Sequence, residues 1–136
     1  MATQVRSIVS LQATMEVVVL HTTVAETLKA LKTAAHLAQD LSARIRLLVL
    51  EVVPYPLPLD QPNVPLSFTT RRFRTLAHDV SIETSVDIHL VRDREKMIDS
   101  VLEPRSLVVM GGRRHWWPGK LVKRLERAGH QLVWAE

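Results

Sequence analysis

The apolar side chains of this chain follow two patterns that alternate along it, one typical of strands and one of amphipathic helices. Short and almost unbroken apolar runs at 15–20, 46–53 and 106–110 predict strands buried on both faces of a sheet. Residues 83–91 alternate between apolar and polar side chains, which predicts a half-exposed strand at a sheet edge. A last short apolar run at 131–135 predicts a fifth strand.

Apolar residues at three- and four-residue spacing predict helices between most of these strands. Thr22 or Thr23 is well placed to cap the first helix, and Asp93 is placed to begin the third. The predicted helices cover 24–41, 67–80, the segment from Asp93 to Leu102, and 119–128. Because strands alternate with helices, we expect right-handed crossovers and an open, mainly parallel five-stranded sheet with helices on both faces.

Two segments do not follow this alternation. Residues 1–14 are interpreted as an extension, within which 5–11 would form an additional edge strand. Five prolines within 54–65 exclude a regular helix there and predict an extended surface loop. The length of 136 residues fits one domain, so we assign 15–136 to a single α/β domain.

Composition narrows the class of protein further. A chain that is 46% hydrophobic and 24% charged is typical of soluble globular proteins. It contains no cysteine, which excludes disulfides and thiolate metal ligands. It has no apolar run near the roughly 18 residues that span a bilayer, and its first residues lack the pattern of a secretory signal. We therefore expect a cytoplasmic protein without a membrane segment.

The glycines indicate where a ligand would bind. Gly111, Gly112 and Gly119 follow the predicted fourth strand and precede the last helix. In open parallel sheets, ligands bind beyond the carboxyl ends of the strands, and a glycine loop before a helix N-terminus is suited to an anion. Positive charge on Arg113, Arg114 and Lys120 would add to the helix dipole there, unless these side chains form only a solvated rim.

The segment 107–120, LVVMGGRRHWWPGK, resembles the carboxyl-terminal motif of the universal stress protein family. The order of elements and the length resemble that family too, over about residues 15–135. The resemblance implies a Rossmann-like sheet with strand order 3-2-1-4-5 and a homodimer formed through the last strand, here 131–135. In nucleotide-binding members the glycine motif holds ATP or another nucleotide, so the resemblance also implies a phosphorylated small molecule as ligand.

The motif differs from the family pattern in several positions. Gly111 matches the first glycine, but Arg114 stands at the second, and the final pair corresponds to Gly119-Lys120, reached several residues early. The turn after the first strand is His21-Thr22-Thr23 instead of an Asp-Gly-Ser-like sequence. A Walker loop fits less well, because six residues separate Gly112 from Gly119. The candidate binding residues are His21, Thr22, Gly111, Gly112, Arg113, Arg114, Gly119 and Lys120.

Other residues allow further interpretations. Lys123, Arg124 and Arg127 would lie on the outer face of the last helix, where solvated surface is favoured over a nucleic-acid interface because no aromatic residues interleave with them. Of the adjacent Trp116 and Trp117, one could stack on a purine or cover the crevice, and the other could anchor a partner subunit. The alternative is that at least one of them packs against the end of the sheet.

Catalytic and metal chemistry find little support in the sequence. His21 and His115 would face the same crevice, but without a carboxylate partner they make a poor zinc site. No serine stands in a recognisable nucleophile motif, and Asp87 and His89 lie on an edge strand away from the crevice. The leading interpretation, which the family resemblance implies, is a non-enzymatic regulatory domain of the stress response that acts by dimerisation and binds a nucleotide or phosphate at most weakly. The first alternative is a universal stress protein that binds ATP or another nucleotide through the 111–120 loop. A nucleic-acid-binding basic domain is the second alternative.

Overall fold

A computed structural model describes residues 15–53, 71, 74–75 and 84–136. The predicted extension 1–14 with its extra strand, the proline-containing loop 54–66 and nearly all of the predicted helix 67–80 lie outside the described residues.

Within the described residues, five strands form one sheet in which every neighbouring pair is parallel. The strand order is β3-β2-β1-β4-β5, which confirms the expected topology. At the centre of the sheet, Val19 pairs with Leu47 on one side and with Val109 on the other. The strands are β1 (Glu16–Leu20), β2 (Arg44–Val52), β3 (Thr84–Val91), β4 (Leu107–Gly111) and β5 (Gln131–Ala135).

The burial of each strand follows its place in the sheet. All residues of β1 and β4 after the first are buried, as their continuous apolar runs predict. Strand β3 is half-exposed over most of its length, which confirms its prediction as an edge strand. Strand β5 forms the opposite edge, and within it only Ala135 is buried.

The described helices begin where their capping residues predict. Helix α1 (Val24–Leu41) has Thr23 as its N-cap, whose Oγ1 accepts a hydrogen bond from the Glu26 amide at 3.2 Å. Helix α2 (Arg94–Val101) is capped by Asp93, which accepts hydrogen bonds from the next turn. Helix α3 (Gly119–Arg127) follows a single 3-10 turn, Arg114–Trp116. No helix in the described ranges combines the length and apolar character needed to cross a bilayer.

Two apolar cores lie on opposite faces of the sheet, so that helices cover both faces as expected. Helix α1 packs through Leu31 and its alanines against the face that includes Ile45. Helices α2 and α3 pack through Ile98 and Leu125 against the other face. Burying each such large side chain contributes roughly 1.5–3 kcal/mol to folding.

A buried histidine organises the amino ends of β4 and β5. The Nδ1 atom of His130 accepts a hydrogen bond from the Ser106 amide at 3.0 Å, just before β4 begins. The His130 amide itself donates to the Leu125 carbonyl at 3.1 Å, which ends α3 beside Gly129 at φ +87°. Burial lowers the pKa of His130, and the nearby Asp99 opposes this shift only in part.

Candidate functional site

The candidate site is a crevice beyond the carboxyl ends of the four strands β1 to β4. The sheet order reverses between β1 and β4, because the chain leaves β1 toward β2 on one side and returns to β4 on the other. A cavity of about 610 Å³ lies at this position. Thr22 after β1, Val52 at the end of β2, Arg92 after β3 and Gly111 at the end of β4 all line it.

The glycine pair at the end of β4 allows α1 to approach the sheet closely. A side chain at Gly111 would overlap the backbone carbonyl of Glu26 in the first turn of α1. Gly112 has φ +89°, and a Cβ there would lie 3.0 Å from the Trp116 ring and 3.1 Å from Glu26 Oε2. Its amide donates to the Ala135 carbonyl at 2.7 Å. In this structure the pair therefore contacts the chain's own helix and edge strand.

The basic residues predicted for this loop point to other partners. Arg114 forms a two-pronged ion pair with Glu126, at 2.7 and 2.9 Å, which raises the pKa of Arg114 and lowers that of Glu126 through the hydrogen bonds they share. Arg113 Nε lies 3.3 Å from a carboxylate oxygen of Glu136. Lys120 lines a separate hollow between α2 and α3, together with Asp99.

The structure thus brings together only some of the predicted site residues. Thr22 and Gly111 line the cavity, and Gly112 adjoins it beside Glu26. Gly119 begins α3 but lines a different hollow, with Arg114 and His115. The His21 amide donates to the Leu48 carbonyl at 3.0 Å, and His21 is not among the described cavity-lining residues.

Sequence reasoning did not assign three acidic side chains to the crevice. Glu26, Asp93 and Glu95 all line it, each within or just before the first turn of a helix. Glu26 Oε2 is buried and accepts no hydrogen bond from the described residues. Asp93 Oδ1 accepts from the amides of Glu95 and Lys96 at 2.9 and 3.3 Å. A signal in the sequence could have indicated these acids. They lie at the starts of two helices that each follow a strand, and such helix starts lie at the carboxyl end of a parallel sheet.

The two adjacent tryptophans have different environments. Trp117 is 9% exposed, its Nε1 donates to the Gly111 carbonyl at 2.9 Å, and its ring meets that of Trp134 edge-on at 6.3 Å. This confirms that one indole packs against the end of the sheet. Trp116 is 61% exposed at the crevice rim, with the Arg113 guanidinium 5.7 Å from its ring centre.

The remaining titratable clusters lie elsewhere. Asp87 and His89 lie on one face of the edge strand β3, and a carboxylate oxygen of Asp87 is 3.0 Å from His89 Nε2. The same oxygen is 3.4 Å from Arg46 Nη1 on β2. None of these three lines the crevice. Among the described residues, no group of three or more histidine or acidic side chains is arranged to hold a metal ion.

This geometry defines a parallel α/β protein with a ligand-sized crevice at the reversal point of its sheet. Its fold is that of the universal stress proteins. The chain is similar to a universal stress protein from Archaeoglobus fulgidus, with a TM-score of 0.64 and 12% sequence identity over 95% of this chain and 98% of that one. It is also similar to a universal stress protein solved in complex with cAMP, with a TM-score of 0.55 and 15% identity over 91% and 99% of the two chains.

No protein-family model matches the sequence, and no curated protein matches it significantly. The resemblance seen in the 107–120 segment is confirmed at the level of the fold. At these identities the similarity concerns the course of the backbone and does not extend to the chemistry of the crevice.

Proposed function

We propose that this chain is a universal-stress-type binding protein that acts without catalysis and takes a small planar ligand of the nucleotide kind in its crevice. The cavity of about 610 Å³ at the β1–β4 reversal point is the observation that carries the proposal. Its volume falls within the roughly 300–1,000 Å³ that is usual for small-molecule sites. Its described walls combine indole and aliphatic surface, on which a ring can lie, with two threonines and five charged side chains.

Two further observations support a ring-bearing ligand. Trp116 presents an indole at the crevice rim, and a base can stack on such a surface. A universal stress protein with a similar backbone was solved with cAMP, a cyclic nucleotide. A nucleotide or nucleoside is therefore the first class of ligand to test.

Isothermal titration with adenosine, AMP, cAMP and ATP tests the proposal directly. Val52 is 45% exposed and lines the cavity, so Val52→Trp fills the crevice with little disturbance of the core. We expect Val52→Trp to weaken binding at least ten-fold, and Trp116→Ala to weaken it by several-fold. The control Leu41→Trp changes a residue of similar exposure outside the crevice and should bind like the native chain. Absence of heat for every compound at millimolar concentration would refute the proposal.

We also propose that the chain forms a homodimer through β5. This strand ends the sheet, and its Leu132, Val133 and Trp134 are only half-buried within one chain. An apolar edge strand favours pairing with a second copy. The opposite edge, β3, carries Asp87 and His89, which are unfavourable for such pairing.

Light scattering coupled to size-exclusion chromatography tests the dimer. We expect a mass near twice 15.4 kDa for the native chain and a monomer for Val133→Asp. The matched change on the other edge, Ser85→Asp, should leave the mass unchanged. Circular dichroism verifies that each variant is folded. A native chain of monomer mass, or the same mass for native chain and Val133→Asp, contradicts the β5 interface.

A further inference from the structure

We infer that the crevice selects an uncharged, ring-bearing ligand with N–H or O–H donors, such as a nucleoside, and disfavours the same ring carrying phosphate. The inference rests on the proposed binding function and names its ligand class. It follows from four features of the described residues: a carboxylate beside the glycine pair, two helix starts that are already capped, loop cations that lie outside the crevice, and a buried carboxylate oxygen without a partner.

The carboxylate of Glu26 lies where the glycine loop would otherwise meet a phosphate. Its Oε2 atom is 3.1 Å from the position that a Cβ on Gly112 would occupy. The same oxygen is buried, so solvent screens its charge poorly. The Nζ of Lys29 is 3.5 Å from the other carboxylate oxygen and is well exposed. A phosphate at this loop would therefore face a negative charge of its own sign.

At two of the three helix starts beside the crevice, backbone amides that could bind an anion already have acceptors, whereas α3 begins after Pro118 without a side-chain cap. Thr23 Oγ1 accepts from the first turn of α1, and Asp93 Oδ1 accepts from two amides of α2. The amide of Gly112 donates to Ala135 in β5. Glu26 and Glu95 in the first turns also complement the positive ends of the two helix dipoles. Two of the helix starts at this crevice are thus neutralised by the chain itself.

The charged side chains of the crevice do not favour an anion. Among the described lining residues, Arg92 and Arg94 stand against Glu26, Asp93 and Glu95, two positive groups against three negative ones. Arg92 also donates to the Val53 carbonyl at 2.9 Å. The cations of the 113–120 loop pair with acids outside the crevice or line another hollow, as described above.

A buried carboxylate oxygen instead favours a ligand that donates hydrogen bonds. Thr22 Oγ1 and Glu26 Oε2 both belong to lining residues, and neither has a hydrogen-bond partner among the described residues. Buried polar atoms are nearly always paired. The Thr22 hydroxyl can accept or donate, but Glu26 Oε2 can only accept, so it marks a place for a ligand donor. An exocyclic amine or a ribose hydroxyl supplies that donor, while the ring lies against Trp116. Phosphate oxygens, which only accept at neutral pH, cannot.

Isothermal titration of adenosine, AMP and ATP with three chains tests this selection. The native chain should bind adenosine at least ten-fold more tightly than AMP, and ATP more weakly still. Glu26→Gln removes the charge at nearly constant shape, and we expect it to bind AMP and ATP about ten-fold more tightly while adenosine does not gain. Glu103→Gln makes the same change at an exposed position outside the crevice and should reproduce the native order.

The outcomes separate the ligand class from the binding function. If the native chain binds ATP or AMP as tightly as adenosine, or if Glu26→Gln leaves the order unchanged, the inference is overturned although the crevice binds a ligand. If no compound binds to any of the chains, the proposed function fails. Should Glu26→Gln unfold, Glu26→Asp keeps the charge and should keep the preference for adenosine, and loss of that preference counts against the inference.

Discussion

The two ends of the sheet differ in where the described buried oxygens lack a hydrogen-bond partner. At the amino ends of the strands, the Arg44 amide donates to Met15, the Gln131 amide donates to Ser106, and the Ser106 amide donates to His130. At the carboxyl ends, the buried oxygens Thr22 Oγ1, Glu26 Oε2 and Glu51 Oε2 have no partner among the described residues. The larger cavity also lies at the carboxyl ends, about 610 Å³ against about 320 Å³ at the amino ends.

This difference separates the part of the molecule that supports folding from the part that is suited to binding. A buried oxygen without a partner costs about 1–3 kcal/mol, so a chain shaped by stability alone would not collect such oxygens at one edge. At the amino ends Arg46 Nε is also without a partner, although the rest of its guanidinium donates to Asp87 and to the Val101 carbonyl. The unpaired oxygens named above lie at the carboxyl ends, which supports the proposed ligand site there.

The largest expected effect comes from closing the approach between α1 and β4 at the carboxyl end. Gly111→Ala places a Cβ against the Glu26 carbonyl, a backbone atom that cannot rotate away. We expect it to lower the free energy of unfolding by about 3 kcal/mol, measured by urea denaturation with far-ultraviolet circular dichroism. The control is Gly119→Ala, where a Cβ would meet open space. That variant should have an unchanged free energy of unfolding or one that is higher by up to about 1 kcal/mol. Equal losses would show that the glycine pair does not set the helix approach.

Two threonines near the start of α1 allow a paired and an unpaired buried hydroxyl to be compared directly. Thr27 is fully buried and its Oγ1 accepts from the Thr22 amide at 3.2 Å, so Thr27→Val should cost about 1–2 kcal/mol. The Oγ1 of Thr22 has no partner among the described residues, so Thr22→Val should stabilise the fold by about 0.5–1 kcal/mol. Urea midpoints of both variants test this. A loss of stability in Thr22→Val would mean that its hydroxyl is paired and would weaken the distinction between the two ends.

The smallest expected effect is a pH dependence that belongs to the amino end. Burial lowers the pKa of His130 in the folded chain below its unfolded value of about 6.5. The unfolded chain then binds the proton more readily, so the stabilisation from neutral His130 is complete above about pH 6.5 and is lost as the pH falls below it. Protonation also places a hydrogen on the Nδ1 that accepts from Ser106.

His130→Asn tests the origin of that dependence, because an amide oxygen accepts the Ser106 hydrogen bond without titrating. Thermal unfolding between pH 5 and 8 should show a smaller decline below pH 6.5 for this variant than for the native chain. An identical decline in both chains would assign the effect to other groups.

Most of the architecture could be predicted from local patterns. The bounds of α1 were predicted residue for residue, since Thr23 marks its start and the apolar spacing continues to Leu41. Strand β2 begins at Arg44, two residues before its predicted start. The prediction missed these residues because the buried Ile45 stands between two arginines, which interrupt the apolar run. Strand order followed from a family resemblance, since periodicity alone does not say which strands are neighbours.

The site could be predicted only as to its place. The glycines after β4 indicated the correct end of the sheet, yet the contacts of Gly111 and Gly112 are with α1, which no spacing along the chain reveals. For the same reason the sequence did not assign Glu26 to the site. Its distance from Gly112 depends on how α1 packs, and that depends on the tertiary fold.

The positions of the indoles decide what an optical experiment on this protein sees. All three tryptophans of the chain, Trp116, Trp117 and Trp134, lie around the carboxyl ends of β4 and β5. Tryptophan emission therefore reports on that corner of the molecule. A fluorescence melting curve that precedes the one from circular dichroism would show this corner loosening before the rest of the fold.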